Sequence, residues 1–100
     1  MSNTPFEEMR SHAAAAARLL KSLGNENRLM ILCALMGEEM SVGELNKLVP
    51  ISQSALSQHL NYLREAKLVE TRRASQNIYY QLKGDETIKV IAVLKSIYCP

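Results

Sequence analysis

The stretch SVGELNKLVPISQSALSQHLNYLREA, Ser41 to Ala66, decides how the chain is read. Ser41 followed three residues later by Glu44 is a capping-box pattern, which starts a short helix through about Leu48. Pro50 ends it, because proline cannot extend the hydrogen-bond ladder of a helix. Ser52 is placed to cap a second helix running to about Ala66, with Leu56, Leu60 and Leu63 on one face. Two short helices meeting across Val49-Pro50-Ile51 make a helix-turn-helix, whose second helix lies in the major groove of DNA.

Working outward toward the C-terminus, Leu68 to Arg72 and Ile78 to Leu82 are short β-prone runs separated by the polar Arg73-Ala74-Ser75-Gln76-Asn77, so they read as a hairpin, the wing. A last helix is expected from about Asp85 to Tyr98. It carries one stripe of Ile88, Ile91, Leu94 and Tyr98 and an adjoining one of Val90, Val93 and Ile97. One stripe covers the domain's own core; the other needs a partner.

Toward the N-terminus, a second helix is expected from about Glu26 to Met36, ended by Gly37, and its apolar run Leu29 to Met36 calls for burial. Before it, Gly24-Asn25 reads as a stop followed by an N-cap. The alanine run Ala13 to Ala17 belongs to a first helix, since alanine has the highest helix propensity. Met9, Ala13, Ala16, Leu20 and Leu23 stripe that helix. Its small side chains allow close approach, which makes it the companion surface for the last helix in a homodimer. The whole is a mainly α winged helix-turn-helix of order α-α-α-α-β-β-α, one domain over residues 1–100.

Composition narrows the function. At 47% hydrophobic, 100 residues form one core. No apolar run is long enough to span a bilayer and the start is too polar for a signal peptide, so no membrane partner and a cytoplasmic location are expected. The net charge of +2 is small, but it is unevenly placed. Residues 26–50 carry Arg28 and Lys47 against Glu26, Glu38, Glu39 and Glu44, whereas residues 51–83 carry Arg64, Lys67, Arg72, Arg73 and Lys83 against Glu65 and Glu70. Positive charge therefore concentrates around the reading helix and the wing. The histidines are only His12 and His59, and the serines sit at caps or on the outward face, so no nucleophile, base and orienting group converge; an enzyme is not expected.

On the reading helix, Ser54, Ser57, Gln58, Asn61 and Glu65 cluster opposite the leucines, with Gln53 and Arg64 at the border and Ser52 at its start. Hydroxyls and amides can read base edges, glutamine pairing with adenine in bidentate fashion; the plain alternative is an ordinary solvated face. His59 falls nearer the apolar side, where it is either a partly buried hydrogen-bonding residue or a base contact. Arg72 and Arg73 on the wing and Gln76 and Asn77 at its tip put cations and donors where phosphate or minor-groove contact is expected. The partner implied is double-stranded DNA. A winged-helix module used only for protein contact is the other reading, and loss of DNA retardation with rising salt separates the two.

These residues, above all Asn25 to Leu32, Ser41 to Leu45 and Ser52 to Leu60, resemble the ArsR/SmtB repressors over nearly the whole chain. The resemblance implies a homodimer bridged by the first and last helices, bound to an imperfect inverted repeat and released by an inducer. The metal sites of that family do not carry over. The third helix offers Glu44-Leu45-Asn46-Lys47-Leu48-Val49 where thiolates are needed, and the last offers only Asp85 and Glu86. No metal and no cofactor are expected.

Cys33 and Cys99, with the ending Tyr98-Cys99-Pro100, resemble instead the thiol- and persulfide-sensing branch, in which two cysteines are joined by a disulfide or a short polysulfide and the repressor leaves DNA. The inducer implied is a reactive sulfur or oxidising species. A link closing that long loop would bias the ensemble by about 4 kcal/mol in the chain-entropy model. A sensing cysteine must be reachable as thiolate, while a lone cysteine in an apolar helix is commonly a small buried hydrophobe, so purely structural cysteines remain the alternative.

Overall fold

The structure is a computed structural model and describes residues 4–100. Helix α1 (Pro5–Leu23) begins on Thr4, whose hydroxyl accepts from the Glu7 N–H at 3.1 Å, with Pro5 in the first turn where its missing N–H costs nothing. It stops at Gly24, where an added Cβ would sit 3.0 Å from the Leu20 carbonyl oxygen. Asn25 caps α2 (Glu26–Ala34) by accepting from the Arg28 N–H. Arg28 then turns back: its Nε donates to the Ser22 carbonyl at 2.8 Å and its guanidinium lies 4.2 Å from the Tyr62 ring centroid, tying the end of α1 to α2 and to the helix that carries Tyr62.

Helix α2 ends at Ala34, two residues before the sequence boundary at Met36, because Leu35 and Met36 close the helix with bonds to Ile31, and Cys33 carbonyls before Gly37 takes a φ of 111°. The chain is thereby turned into β1 (Met40–Ser41), a strand the sequence reading lacks. Nor is α2 buried all round: Ile31, Leu32 and Leu35 enter the core while Met30 is exposed. Next come α3 (Val42–Leu48), with the Ser41–Glu44 capping box formed in both directions, and α4 (Gln53–Glu65), capped by Ser52. Both follow the sequence reading.

The wing is β2 (Val69–Ala74) and β3 (Asn77–Leu82), followed by α5 (Glu86–Tyr98). With β1 it forms a three-stranded antiparallel sheet in the order β1-β3-β2, not a free two-stranded hairpin. Met40 stands opposite Tyr80, and the β2–β3 pairing runs from Val69↔Leu82 to Ala74↔Asn77. The five-residue loop expected from Arg73 to Asn77 shrinks to a two-residue turn, Ser75 and Gln76, with Ser75 alone at positive φ (57°). That is the pattern of a type II′ turn, whose twist matches the flanking strands.

The core gathers Ile31, Leu32 and Leu35 from α2, Leu45 and Val49 around α3, Leu56, Leu60 and Leu63 from α4, Leu68 and Val69 at the wing, and Ile91 from α5. Leu23 closes it from α1. The stripes of α5 fall differently from the sequence reading. Thr87 and Ile91 are buried, with Val90 and Leu94 half-buried beside them, while Ile88, Val93, Ile97 and Tyr98 face outward. On α1, Leu23 is inside and Phe6, Met9 and Leu20 are outside. No helix of the described residues is long and apolar enough to cross a membrane.

Candidate nucleic-acid interface

The turn between α3 and α4 is held by one side chain. Asn46 donates from Nδ2 to the carbonyls of Val49 (3.2 Å) and Ile51 (2.8 Å), on either side of Pro50. The Val49 carbonyl also accepts from the Ile51 N–H at 2.9 Å, so the turn is closed by backbone and side chain together and Asn46 fixes the angle at which α4 leaves α3. Leu56, Leu60 and Leu63, none more than 1% exposed, seat the inner face of α4 in the core.

The outer face is then determined by helical geometry. Ser52, Gln53, Ser54, Ser57, Gln58, Asn61, Arg64 and Glu65 are all exposed, as the leucine spacing predicts. Ser52 spends its hydroxyl on the Ala55 N–H (3.2 Å), and Asn61 reaches Glu65 at 3.4 Å. Gln53, Ser57 and Gln58 have no side-chain hydrogen-bond partner among the described residues, which leaves their donors and acceptors open to base edges. His59 is half-buried, as expected, but makes no hydrogen bond within the described chain.

At its far end α4 passes into the wing through a tight cap. The Leu68 N–H bonds to the Leu63 carbonyl and the Lys67 N–H to that of Arg64, both at 3.0 Å. This is a Schellman motif with Lys67 at φ 62° in the position glycine usually takes. Leu63 and Leu68 close it with an apolar contact inside the core. The wing therefore leaves α4 in a fixed direction.

Strand pleating separates the two wing arginines. Val69, Thr71 and Arg73 share the face that packs on the body at its base, opposite Leu82, Tyr80 and Ile78, whereas Arg72 lies on the other face opposite Tyr79. Arg73 is exposed and has no ion pair among the described residues. Arg72 is paired with Glu39 through both nitrogens, Nε to Oε2 at 3.1 Å and an NH2 to Oε1, and lies 5.0 Å from the Tyr79 ring centroid. Its cation holds the Glu39 carboxyl below the ordinary carboxylate range. Glu39 was not among the residues singled out from the sequence. Gln76 and Asn77, both exposed at the tip, border a shallow cleft of about 310 Å³ whose opposite wall is Ser41, Val42 and Gly43. The wing tip thus stands beside the start of α3.

The cysteines occupy a separate place. Cys33, half-buried on α2, packs against the core, and Cys99, exposed, ends α5. Burial pushes the Cys33 thiol up; Lys95 opposes that shift and charge on Cys99 adds to it, so the end of α5 lies within electrostatic reach of Cys33. Among the described residues no three His, Cys, Asp or Glu side chains gather where they could hold a metal ion.

Known proteins agree with this geometry. Residues 25–71, the span from the α2 cap into the wing, match the family described as bacterial regulatory protein, arsR family. The chain is 47% identical over 94 residues to the transcriptional activator HlyU of Vibrio cholerae, covering 94% of this chain and 87% of that protein. It superposes on reduced HlyU from the same organism with a TM-score of 0.86, over 94% of this chain and 99% of the other. On the transcriptional repressor BigR from Xylella fastidiosa the TM-score is 0.92 at 40% identity, over 97% and 99% of the two chains. With that identity and coverage, and with a capped helix-turn-helix followed by a wing, the chain belongs to the arsR family of winged helix-turn-helix transcriptional regulators.

Proposed function

We propose that two copies of this DNA-binding regulator associate through α1 and α5 and repress transcription from an imperfect inverted repeat, releasing it when Cys33 and Cys99 become linked. The observation that carries the DNA reading is the face of α4. It is exposed along its whole length, rich in unengaged amides and hydroxyls, and backed by buried leucines that give it one orientation. Gln58, Gln53 and Ser57 would read bases, while Ser54, Asn61 and Arg64 flank them. Arg73, Gln76 and Asn77 would meet the backbone and minor groove. Two such helices related by a dyad fit half-sites about 34 Å apart, one turn of DNA. The dimer is supported by Val93 (58%), Ile97 (59%), Tyr98 (77%) and Phe6 (72%), large apolar side chains left in water by a single chain.

For the switch, the different exposure of the two cysteines supports an order of events. Cys99 is exposed and meets the inducer first; Cys33, half-buried and with its thiol pushed up by burial, is the poorer nucleophile and reacts second, through its thiolate. With a small-molecule persulfide, the Cys99 thiolate takes the outer sulfur and expels the thiol. Cys33 then attacks the inner sulfur of the Cys99 persulfide and expels hydrosulfide. The products are one protein disulfide, one thiol and one hydrogen sulfide, so the persulfide is the oxidant and both cysteines are reduced thiols at the outset. The link ties α2, which backs the helix-turn-helix, to α5, which would form the dimer, and so alters the spacing of the two reading helices.

Treating reduced protein with a low-molecular-weight persulfide is expected to give an intact mass that has lost two hydrogens, with or without added sulfur atoms, and Cys33 and Cys99 in one cross-linked peptide. Operator affinity falls by about five- to 150-fold, the range of ordinary allosteric coupling. A Cys33→Ser protein binds the operator and no longer responds. A modified protein with no Cys33–Cys99 link, or a Cys33→Ser protein regulated like the wild type, overturns the sensing mechanism.

A further inference from the structure

Arg72 and Arg73 are adjacent in sequence and differ in what they can do. Arg73 points to one face of the wing and has no carboxylate near it among the described residues, whereas Arg72, on the opposite face, is gripped by Glu39. The grip follows from the sheet. Ser41 and Arg72 both stand opposite Tyr79, so the outer face carries Arg72, Tyr79 and Ser41 in one row, and Glu39 lies two residues before Ser41 on the same face. Arg72 crosses the Tyr79 ring to reach it.

The pair is not needed to hold the wing in place. Two β1–β3 and six β2–β3 residue pairs already do so, and an ion pair whose side chains are 51% and 32% exposed adds little to stability. What the pair does change is the charge the wing offers. The guanidinium has its Nε and one terminal nitrogen on Glu39 and its face on Tyr79, so the bidentate edge that would grip a phosphate is occupied by a carboxylate of similar shape.

We propose that Glu39 is an internal competitor for DNA phosphate, holding Arg72 off the backbone and setting operator affinity below what two free wing arginines would give. The inference rests on the proposed contact between wing and phosphate. It makes Glu39 a positioning residue for Arg72, with no contact to DNA of its own. A regulator that must leave its operator when signalled gains from an affinity held below the maximum, because a modest coupling energy then empties the site.

The test uses an inverted-repeat duplex selected from a random pool by the wild-type protein, with binding followed by anisotropy across a salt series. E39Q is expected to bind on the order of tenfold tighter near 50 mM salt, with the slope of log K against log salt steeper by about two per dimer, one extra phosphate for each wing. In an R72Q background the same E39Q change alters neither quantity, and thermal melting of all variants stays close to wild type. Equal or weaker binding by E39Q overturns the inference. So does a gain that persists with R72Q, which would mean that Glu39 acts as a general negative charge and not through Arg72. R73Q separates this from the wing reading: if R73Q changes neither affinity nor slope, the wing does not touch phosphate and both fall together, whereas weakened R73Q with unimproved E39Q removes only the role of Glu39.

Discussion

Replacing Val93 and Ile97 together by glutamate is expected to leave a folded monomer whose operator affinity is lower by about a hundredfold or more. Both side chains are more than half exposed in the single chain, so their glutamates stay in water as long as the chain is alone. Across a dyad through α5 they would instead face a second copy, where four buried carboxylates without partners each carry a cost of several kcal/mol. Losing the dimer removes the second half-site contact, and a tethered second contact commonly contributes 10²- to 10⁴-fold. Sedimentation velocity reads the association state, circular dichroism the fold, and anisotropy the affinity. A double-glutamate protein that remains dimeric and binds normally would place the interface elsewhere.

Leu60→Ala is expected to cost about 2–5 kcal/mol of stability, the usual range for emptying a leucine site in a core. Leu60 is 1% exposed and lies between Leu56 and Leu63 on the inner face of α4, against core residues brought from α2, α3 and the wing. For a domain of this size that loss lowers the melting temperature by about 8–40 °C, and it is a large part of a typical total of about 5–15 kcal/mol. Gln58→Ala, two residues away on the outer face, should melt with the wild type. Urea titration of both proteins checks the contrast; a loss below about 1 kcal/mol for Leu60→Ala would mean that α4 is not seated as described.

Much of the fold was legible because its punctuation is chemical. Thr4 was not singled out, but Asn25, Ser41 with Glu44, and Ser52 each mark a helix start, and each accepts the backbone N–H that its position demands. The leucines at 56, 60 and 63 fix the phase of α4, and with it the outward residues. Other features carry no local signal. Strand β1 is two residues long and runs straight into the α3 cap, too short for any alternation to show. The wing turn is tighter than its polar composition implies, because Ser75 accepts a positive φ that the sequence would assign to glycine. Lys67 does the same at the end of α4.

Phase failed on α5 for a different reason. Ile88, Val90, Ile91, Val93, Leu94 and Ile97 spread over more than half of the helix circumference, so the apolar arc is wider than the strip the core covers and its edges are left outside. Burial of Ile91 and exposure of Ile88, Val93 and Ile97 follow only from how the helix docks on the core. The candidate site divides along the same line. The face of α4 is a property of one helix and could be read from spacing. The pairing of Arg72 with Glu39 joins residues 33 apart through the β1–β3 register, and no short window contains both.

The most direct test compares Gln58→Ala and Arg73→Ala on two duplexes, the selected inverted repeat and a scrambled one of equal length. If α4 reads bases and the wing holds the backbone, Gln58→Ala loses about 1–3 kcal/mol per half-site on the inverted repeat and little on the scrambled duplex. Arg73→Ala weakens both alike and makes the salt dependence shallower by about one phosphate per wing. Losses of equal size from both substitutions on both duplexes, or binding untouched by either, would contradict the assignment of α4 to the groove and of the wing to the backbone.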